Sequence, residues 1–341
     1  MRVDGYRFYR DVLGSPTRLL APMVDASEAA WRELSRRHGA QLTYTPMLNA
    51  GVLAADRKAG RFDAQVIPGE GPGLIAQLCG DDPETLLAAG KIMQERGVAA
   101  IDVNLGCPQN IARRGHYGAY LQDEWGLVAR IISTLADGLR VPVTAKIRVF
   151  PDTEKTVAYA RMIRDAGAAM LTVHGRTREQ RGGATGLPNW AAVRAVRDAI
   201  RDIPVFGNGG VLFADDVDAM IASTGVDGVM AAIEESGPVA TQRVPWIVVR
   251  RTRHRWVPVV TREDLVGALA GLHDLHMPAD LLRQQVERHT VVAHHGLAHG
   301  LDGARERGQH ASRIDPDLVV VGIELAGDDV RVLELVAFLT T

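Results

Sequence analysis

A single thiol stands where an apolar run ends, in "DVNLGCPQN" (residues 102–110). Cys107 follows Gly106, which allows a close approach of the backbone, and precedes Pro108, which stiffens the loop. A free thiol has a pKa of about 8.5, so it is mostly protonated at neutral pH and can act as a general acid. The alternative is a buried structural cysteine that only fills space.

Elements of one repeated type must position this thiol. A short β-branched apolar run, a polar or glycine-rich turn and a segment of helical period follow one another along the chain. Between the runs, Asp82 and Pro83 form a typical helix start, and Gly225 a typical helix stop. The eight runs cover residues 18–25, 42–48, 74–80, 99–106, 141–149, 170–176, 203–210 and 226–232.

Eight strands that alternate with helices over about 215 residues predict an α/β fold, a parallel (β/α)8 TIM barrel. A doubly wound open sheet is the alternative. In a barrel, the active site lies at the carboxyl ends of the strands, where several polar residues of this chain would converge. A lone lysine or histidine in a strand is more often structural, but the convergence favours a site. These residues are Gln77, Asn104, Cys107, Lys146, Arg148, His174, Arg176 and Asn208.

The carboxyl ends of the strands form the mouth of the predicted barrel, and two features at this mouth point to flavin chemistry. The glycine-rich "GNGG" (residues 207–210) offers backbone N–H groups where a loop enters a helix, a common phosphate site in barrels. Lys146 would place a positive charge beside a cofactor ring that becomes anionic on reduction.

The segments "DVNLGCPQNIARRGHYGAYL", "AKIRVF", "LTVHGRTREQ" and "PVFGNGG" are similar to the motifs of the tRNA-dihydrouridine synthases, FMN-dependent barrel enzymes. The resemblance covers residues 15–232. The sequence around "RTREQ" and "TGLPNW" is most similar to the eukaryotic-type branch, which acts on neighbouring uridines of the tRNA D-loop.

The resemblance implies an activity and a role for each residue. NADPH or NADH reduces FMN, the flavin passes a hydride to C6 of uracil, and Cys107 gives a proton to C5. Pro22 and Met23 would contact the flavin through the backbone, Gln77 and Lys146 would bond its polar edge, and His174 would bridge flavin and substrate. Asn208, Gly209 and Gly210, with the backbone of Ala231 and Ala232, would bind the FMN phosphate. Asn104, Arg148 and Arg178 would contact the substrate.

The chain departs from the family pattern after the eighth run, where it reads "MAAIEESGPVA" (residues 230–240). Glu234 and Glu235 would be unfavourable beside a phosphate if they pointed inward. Two alternatives to the reductase hypothesis therefore remain: a tRNA-binding protein with impaired flavin binding, and a barrel flavoenzyme that reduces a free pyrimidine.

The sequence divides into a catalytic barrel, residues 1–240, and a smaller, mainly helical accessory or tRNA-binding domain, residues 241–341. Residues 243–256 ("RVPWIVVRRTRHRW") contain five arginines, two tryptophans and no acid, a pattern that suits phosphates and unpaired bases. His295 and His299 have a metal-binding spacing, but without further ligands a solvated or RNA-facing surface is favoured. The tail, residues 315–339, is more typical of strand and helix.

Composition limits the partners and the compartment. The formal net charge of -2 gives no global attraction to nucleic acid, so tRNA would need a local basic patch. Two cysteines in different contexts predict no disulfide framework, and no apolar stretch approaches the roughly 20 residues of a membrane span. We therefore expect a cytoplasmic protein that needs neither a membrane nor an obligate protein partner.

Overall fold

The computed structural model describes residues 3–24, 27–58, 66, 70, 73–211 and 213–232, and four short strands of the C-terminal part. The chain divides into two compact units, residues 1–259 and 260–341. The first contains a parallel sheet with helices on its outside.

The sheet has nine short parallel strands in the order β1-β9-β8-β7-β6-β5-β4-β2, with β3 also paired to β4. The strands are β1 (Arg18–Leu20), β2 (Thr43–Tyr44), β3 (Leu48–Asn49), β4 (Leu74–Cys79), β5 (Ala100–Leu105), β6 (Val143–Arg148), β7 (Met170–His174), β8 (Val205–Asn208) and β9 (Gly228–Ala231).

The sheet closes on itself, because β1 pairs with β9 and Leu19 bridges to Leu42 beside β2. This closure confirms the (β/α)8 barrel and rules out an open doubly wound sheet. All eight predicted runs contain a barrel strand. The second run differs in one respect: it is interrupted after Tyr44, where Pro46 has no N–H to give to the ladder, and resumes as β3.

Helices cover the outside of the barrel, and their ends follow the predicted signals. Asp82 accepts a hydrogen bond from the N–H of Thr85 with Pro83 in the first turn, and Gly225 ends its helix with a φ of 71°. The helices are α1 (Gly5–Arg7), α2 (Ala29–Arg37), α3 (Ala50–Lys58), α4 (Pro83–Glu95), α5 (Asn110–Arg114), α6 (Trp125–Gly138), α7 (Thr153–Ala166), α8 (Trp190–Ala199) and α9 (Ala214–Thr224).

The amino-terminal end of the barrel is plugged. Phe8 and Tyr9, in a π-helical turn that continues α1, pack with Tyr44, Phe206 and other apolar side chains inside the barrel. The hydroxyl of Tyr9 donates to the carbonyl of Asp227, just before β9 begins. This end is filled by apolar side chains, so an active site has room only at the opposite, carboxyl end.

The C-terminal part is described only in pieces. Antiparallel pairs are formed by β10 (Val249–Arg251) with β11 (Trp256–Pro258), and by β12 (Val320–Ala326) with β13 (Asp329–Leu335). The second pair confirms the strand part of the prediction for the tail. The predicted boundary at residue 240, the predicted helical character of most of 241–341, and both His295 and His299 lie outside the described residues. Among the helices that the structure describes, none is both long and apolar enough to span a bilayer.

Candidate active site

Neighbouring strands bring the predicted polar residues to the carboxyl end of the barrel. Asn104 of β5 lies beside Lys146 of β6 in the register. Two residues further along, Arg148 of β6, His174 of β7 and Asn208 of β8 are neighbours. Within β6 and β7, Lys146 and His174 are the residues that are not fully buried, so the site is open to solvent at these two side chains.

His174 is a neutral imidazole at this mouth. Burial lowers its pKa well below the ordinary value, and the positive charges of Lys146, Arg148 and Arg176 lower it further. The Nε2 atom lies 3.3 Å from Nη1 of Arg176, which can only donate, so Nε2 accepts and the ring proton resides on Nδ1. His174 therefore offers one hydrogen-bond donor, Nδ1–H.

A buried carboxylate lies beneath the mouth. Asp102 is 1% exposed and accepts hydrogen bonds from Thr144 Oγ1 (2.6 Å) and Gln77 Nε2 (2.8 Å). Burial raises its pKa to about 6, against the lowering effect of these two hydrogen bonds and of the Lys146 charge. Gln77 Oε1 in turn accepts from Asn104 Nδ2 (2.8 Å), so both amides are engaged with the carboxylate network.

The backbone around the thiol is held from two sides. Oδ1 of Asn104 accepts from the N–H groups of Gly106 (3.1 Å) and Cys107 (2.9 Å). On the other side, the carbonyl of Cys107 accepts from the N–H of Ala119. Gly118 has a φ of 67°, and a Cβ there would lie 2.7 Å from the carbonyl oxygen of Cys107, so this contact requires glycine.

The Cys107 thiol stays protonated in this environment. Burial raises its pKa, and smaller effects of the Gln109 backbone, Arg148 and Lys146 act in the opposite direction. The side chain is only partly buried, so the thiol can still be approached. A thiol that is protonated and accessible suits proton donation better than nucleophilic attack.

The structure gives Arg148 a local role. Its Nε donates to the carbonyl of Gly106 (2.9 Å), and its Nη1 donates to those of Thr177 (2.8 Å) and Gln180 (3.0 Å). The guanidinium thus joins the Cys107 loop to the segment after β7. A contact of Arg148 with substrate stays a prediction.

Two further arginines strengthen this junction. Arg178 Nη1 forms an ion pair with Asp123 (2.9 Å) and is partly exposed, so its substrate contact also stays a prediction. Arg181 Nη1 donates to the carbonyl of Pro108 and to Oδ1 of Asn110. The loop that carries the thiol is therefore fixed by guanidinium groups from β6 and from the segment after β7.

The predicted phosphate turn is tightly packed. Gly209 and Gly210 have φ angles of 100° and 76°, and a Cβ on them would lie 2.7 Å from the His174 ring and from Pro188, respectively. The carbonyl of Gly209 accepts from Trp190 Nε1 (3.0 Å). These contacts alone require both glycines, so their presence is not by itself a sign of a phosphate.

The rest of the predicted cofactor set lies at the same end. Pro22 and Met23 come one residue after the end of β1, and Asn208 Nδ2 donates to the carbonyl of Met230 on β9 (2.9 Å). Ala231 ends β9 and Ala232 follows it. Residues 233–240, including Glu234 and Glu235, lie outside the described residues, so their predicted effect on the phosphate is not tested.

Sequence reasoning missed Asp102, Thr144 and Arg181. A signal existed for Asp102, because it stands two residues before Asn104 in one strand and must therefore point to the same side of the sheet. The same spacing holds for Thr144, which stands two residues before Lys146 in β6. No pattern in the sequence indicates that Arg181 would meet these residues, because its contacts join segments that are far apart in the chain.

Comparison with known proteins agrees with this geometry. Residues 19–296 match the dihydrouridine synthase (Dus) family. The chain is 49% identical over 225 residues to the tRNA-dihydrouridine(16/17) synthase [NAD(P)(+)] of Saccharomyces cerevisiae, covering 65% of this chain and 53% of the yeast protein. A similar protein of Mus musculus, "tRNA-dihydrouridine(16/17) synthase [NAD(P)(+)]-like", is 51% identical over 234 residues, which are 68% of this chain and 48% of the mouse protein.

The chain thus spans about half the length of these curated eukaryotic relatives. The tRNA-dihydrouridine synthase B of Pectobacterium carotovorum is 32% identical over 274 residues, covering 76% of this chain and 81% of the bacterial protein. The higher identities to the eukaryotic proteins confirm the predicted branch. With its closed barrel and its thiol loop, this chain belongs to the dihydrouridine synthase family.

Proposed function

We propose that this protein reduces the C5–C6 double bond of a uridine in the tRNA D-loop, with FMN as cofactor and NADPH or NADH as reductant. The observation that carries the proposal is a protonated, partly exposed Cys107 near Lys146, at the barrel end that also carries His174, in a chain about half identical to proteins named tRNA-dihydrouridine(16/17) synthases.

The residues at the mouth fit a flavin mononucleotide. Members of the family are flavin-dependent. Lys146 is not fully buried and would supply a cation for the ring edge, and the turn at Gly209 and Gly210, which follows β8 at the same end of the barrel, has its backbone in the left-handed region. Gln77 has a second N–H on Nε2 besides the one given to Asp102. A bound reduced flavin would supply a hydride to C6 of the uracil ring.

The protein's own groups would complete the reduction. Cys107 would hold a proton on its sulfur at neutral pH and release it to C5. The hydrogen bonds from Asn104 and Ala119 fix the loop backbone and hence the direction of the thiol. His174 would donate through Nδ1–H without changing its charge, and Arg148 and Arg181 would keep the loop closed against the segment after β7.

A tRNA partner also fits the surface near the thiol. Arg113 and Arg114 are exposed on α5, directly after the Cys107 loop, and line a surface hollow of about 510 Å³ with Asn110. A target base must leave the stack of its tRNA to enter the barrel, so contacts to the flanking phosphates are needed. The arginine-rich segment 243–256 is the second proposed contact, and tRNA modification in the cytoplasm is the setting that the family resemblance favours.

The test is dihydrouridine formation by the purified protein. The protein should be yellow, with one flavin per protomer, and after reduction by NADPH it should convert unmodified D-loop uridine. Free uracil should not be reduced at a comparable rate. A colourless protein that binds tRNA would support the tRNA-binding alternative, and reduction of free uracil as fast as tRNA would support the small-molecule alternative.

A further inference from the structure

The hydrogen bonds under the mouth form a directed relay. Asp102 accepts from Gln77, Gln77 accepts from Asn104, and Asn104 accepts from the backbone N–H of Cys107, at distances of 2.8, 2.8 and 2.9 Å. Every member of the relay is at most 9% exposed, apart from Cys107 itself. Water therefore has little access to replace any of these bonds.

Only one direction of the relay satisfies all its members. An ionised carboxylate can only accept, so Gln77 must turn its NH₂ group to Asp102 and its oxygen to Asn104. Asn104 must then turn its own NH₂ group to Gln77, which leaves Oδ1 for the backbone of the thiol loop. If Gln77 were reversed, its NH₂ group would face that of Asn104, and a reversed Asn104 would face the N–H of Cys107 donor to donor.

The other contacts of Asp102 keep it an acceptor. The hydroxyl of Thr144 donates to the second carboxylate oxygen at 2.6 Å, and the charge of Lys146 favours the ionised form. Asn104 is fixed as well, since its second N–H points to Sδ of Met47 at 3.1 Å.

We propose that Asp102 is a positioning residue that sets the direction of the Asp102–Gln77–Asn104 relay and thereby fixes the backbone of Cys107. This inference deepens the proposed function and rests on it for the role of Cys107 as the proton donor. The hydrogen bonds of Asp102 go to Gln77 and Thr144, so it acts on the thiol loop through the two amides.

The test exchanges donors and acceptors inside the relay. Asp102→Asn gives residue 102 both a donor and an acceptor, so it no longer dictates which way Gln77 turns. Gln77→Glu places the new carboxylate against the carboxylate of Asp102, so two acceptors face each other. The double variant Asp102→Asn/Gln77→Glu restores the direction: the new amide at 102 donates to the new carboxylate at 77, whose second oxygen accepts from Asn104. The hydroxyl of Thr144 still finds an acceptor at residue 102.

The readout is the rate at which iodoacetamide alkylates Cys107 at pH 8, measured by mass spectrometry of the peptide. Parent and variants are all saturated with FMN, because Gln77 is also proposed to contact the flavin. The buried Cys79, 1% exposed, is the internal reference. We expect each single variant to raise the rate about tenfold, as loss of one buried hydrogen bond would allow, and the double variant to return within about threefold of the parent. Thr144→Val, which removes a hydrogen bond to Asp102 without reversing the relay, should change the rate by less than threefold.

An alkylation rate equal to that of the parent in folded Asp102→Asn would overturn the proposal. So would a double variant whose alkylation rate is raised by the product of the two factors seen in the single variants. If a single variant does not fold, the double variant decides: a folded double variant with a parental rate supports the relay, and one that also fails to fold contradicts it. The assay uses neither tRNA nor nicotinamide. An inactive parent would therefore refute the proposed function while leaving the relay test readable.

Discussion

Gly118 offers a sharp test of how the thiol loop is held. The Gly118→Ala substitution adds a Cβ at a φ of 67°, 2.7 Å from the carbonyl oxygen of Cys107 and 3.0 Å from its Cβ. Left-handed backbone costs an L-residue about 1–2 kcal/mol, and overpacking against a rigid neighbour adds about 1–3 kcal/mol. We therefore expect the free energy of unfolding to fall by about 2–5 kcal/mol, with Cys107 displaced.

The matched control is Gly225→Ala. Gly225 has a φ of 71°, but a Cβ there would have no atom within 4 Å. This variant pays the backbone cost alone, so its free energy of unfolding should fall by only about 1–2 kcal/mol. The difference between the two variants isolates the contact with Cys107.

The assay is urea denaturation of both variants, together with single-turnover oxidation of the pre-reduced enzyme by unmodified tRNA. Gly118→Ala should slow the tRNA step, whereas Gly225→Ala should leave it unchanged. Equal losses of stability in the two variants, with the tRNA step at the parental rate in both, would refute the claim that this glycine holds the thiol loop in place.

Three further predictions concern the charges of the site and its RNA contacts. Lys146→Ala should lose most of its flavin, measured by absorbance of the purified protein, because the cation at the ring edge is gone; normal flavin content would contradict the assignment. The pKa of Asp102 is raised to about 6 in the folded protein, whereas in the unfolded chain it has its ordinary value near 4. The folded protein therefore binds this proton more tightly, which stabilises it below pH 4. As the pH rises from 4 through 6, the free energy of unfolding should fall by about 3 kcal/mol. Urea denaturation of the parent and of Asp102→Asn across this pH range should show this loss of stability in the parent alone. Equal dependence of the free energy of unfolding on pH in both proteins would contradict the prediction. Changing Arg250, Arg251 and Arg253 together to alanine should weaken tRNA binding and its salt dependence without slowing NADPH oxidation, and unchanged tRNA affinity would exclude this patch.

The barrel could be predicted because its signals are local. Most of the apolar runs are strands buried on both faces, and several of the intervening helices have clear end signals, as Asp82 and Gly225 illustrate. The strand bounds were less certain, because Pro22 and Pro46 end ladder pairing inside runs that are otherwise apolar.

The positions of the site residues followed from the same logic. Parallel strands end at one rim, so Lys146 and His174 could be expected to lie near each other, and their register neighbours agree. Their hydrogen-bond partners could not be predicted. The hydrogen bonds from Arg148 to the carbonyls of Gly106 and Thr177 are an example, because only the folded chain shows which carbonyls lie within reach.

The role of Cys107 as proton donor is the central claim, and it separates the two halves of the reaction. Flavin reduction by nicotinamide needs no acid from this loop, whereas uridine reduction needs a proton at C5. A general acid typically contributes about 10²- to 10⁴-fold. Cys107→Ala should therefore keep its flavin and its parental rate of NADPH oxidation. Cys79→Ala removes the buried thiol that ends β4 and packs in one small apolar cluster with Cys107, so it controls for loss of packing and should behave like the parent in both halves.

The most direct measurement is single-turnover oxidation of pre-reduced Cys107→Ala by unmodified tRNA, with dihydrouridine counted in the product. We expect a rate at least about 100-fold below that of the parent and of Cys79→Ala. A parental rate in Cys107→Ala would show that the thiol is structural and that the proton comes from another group, with His174 the next residue to test.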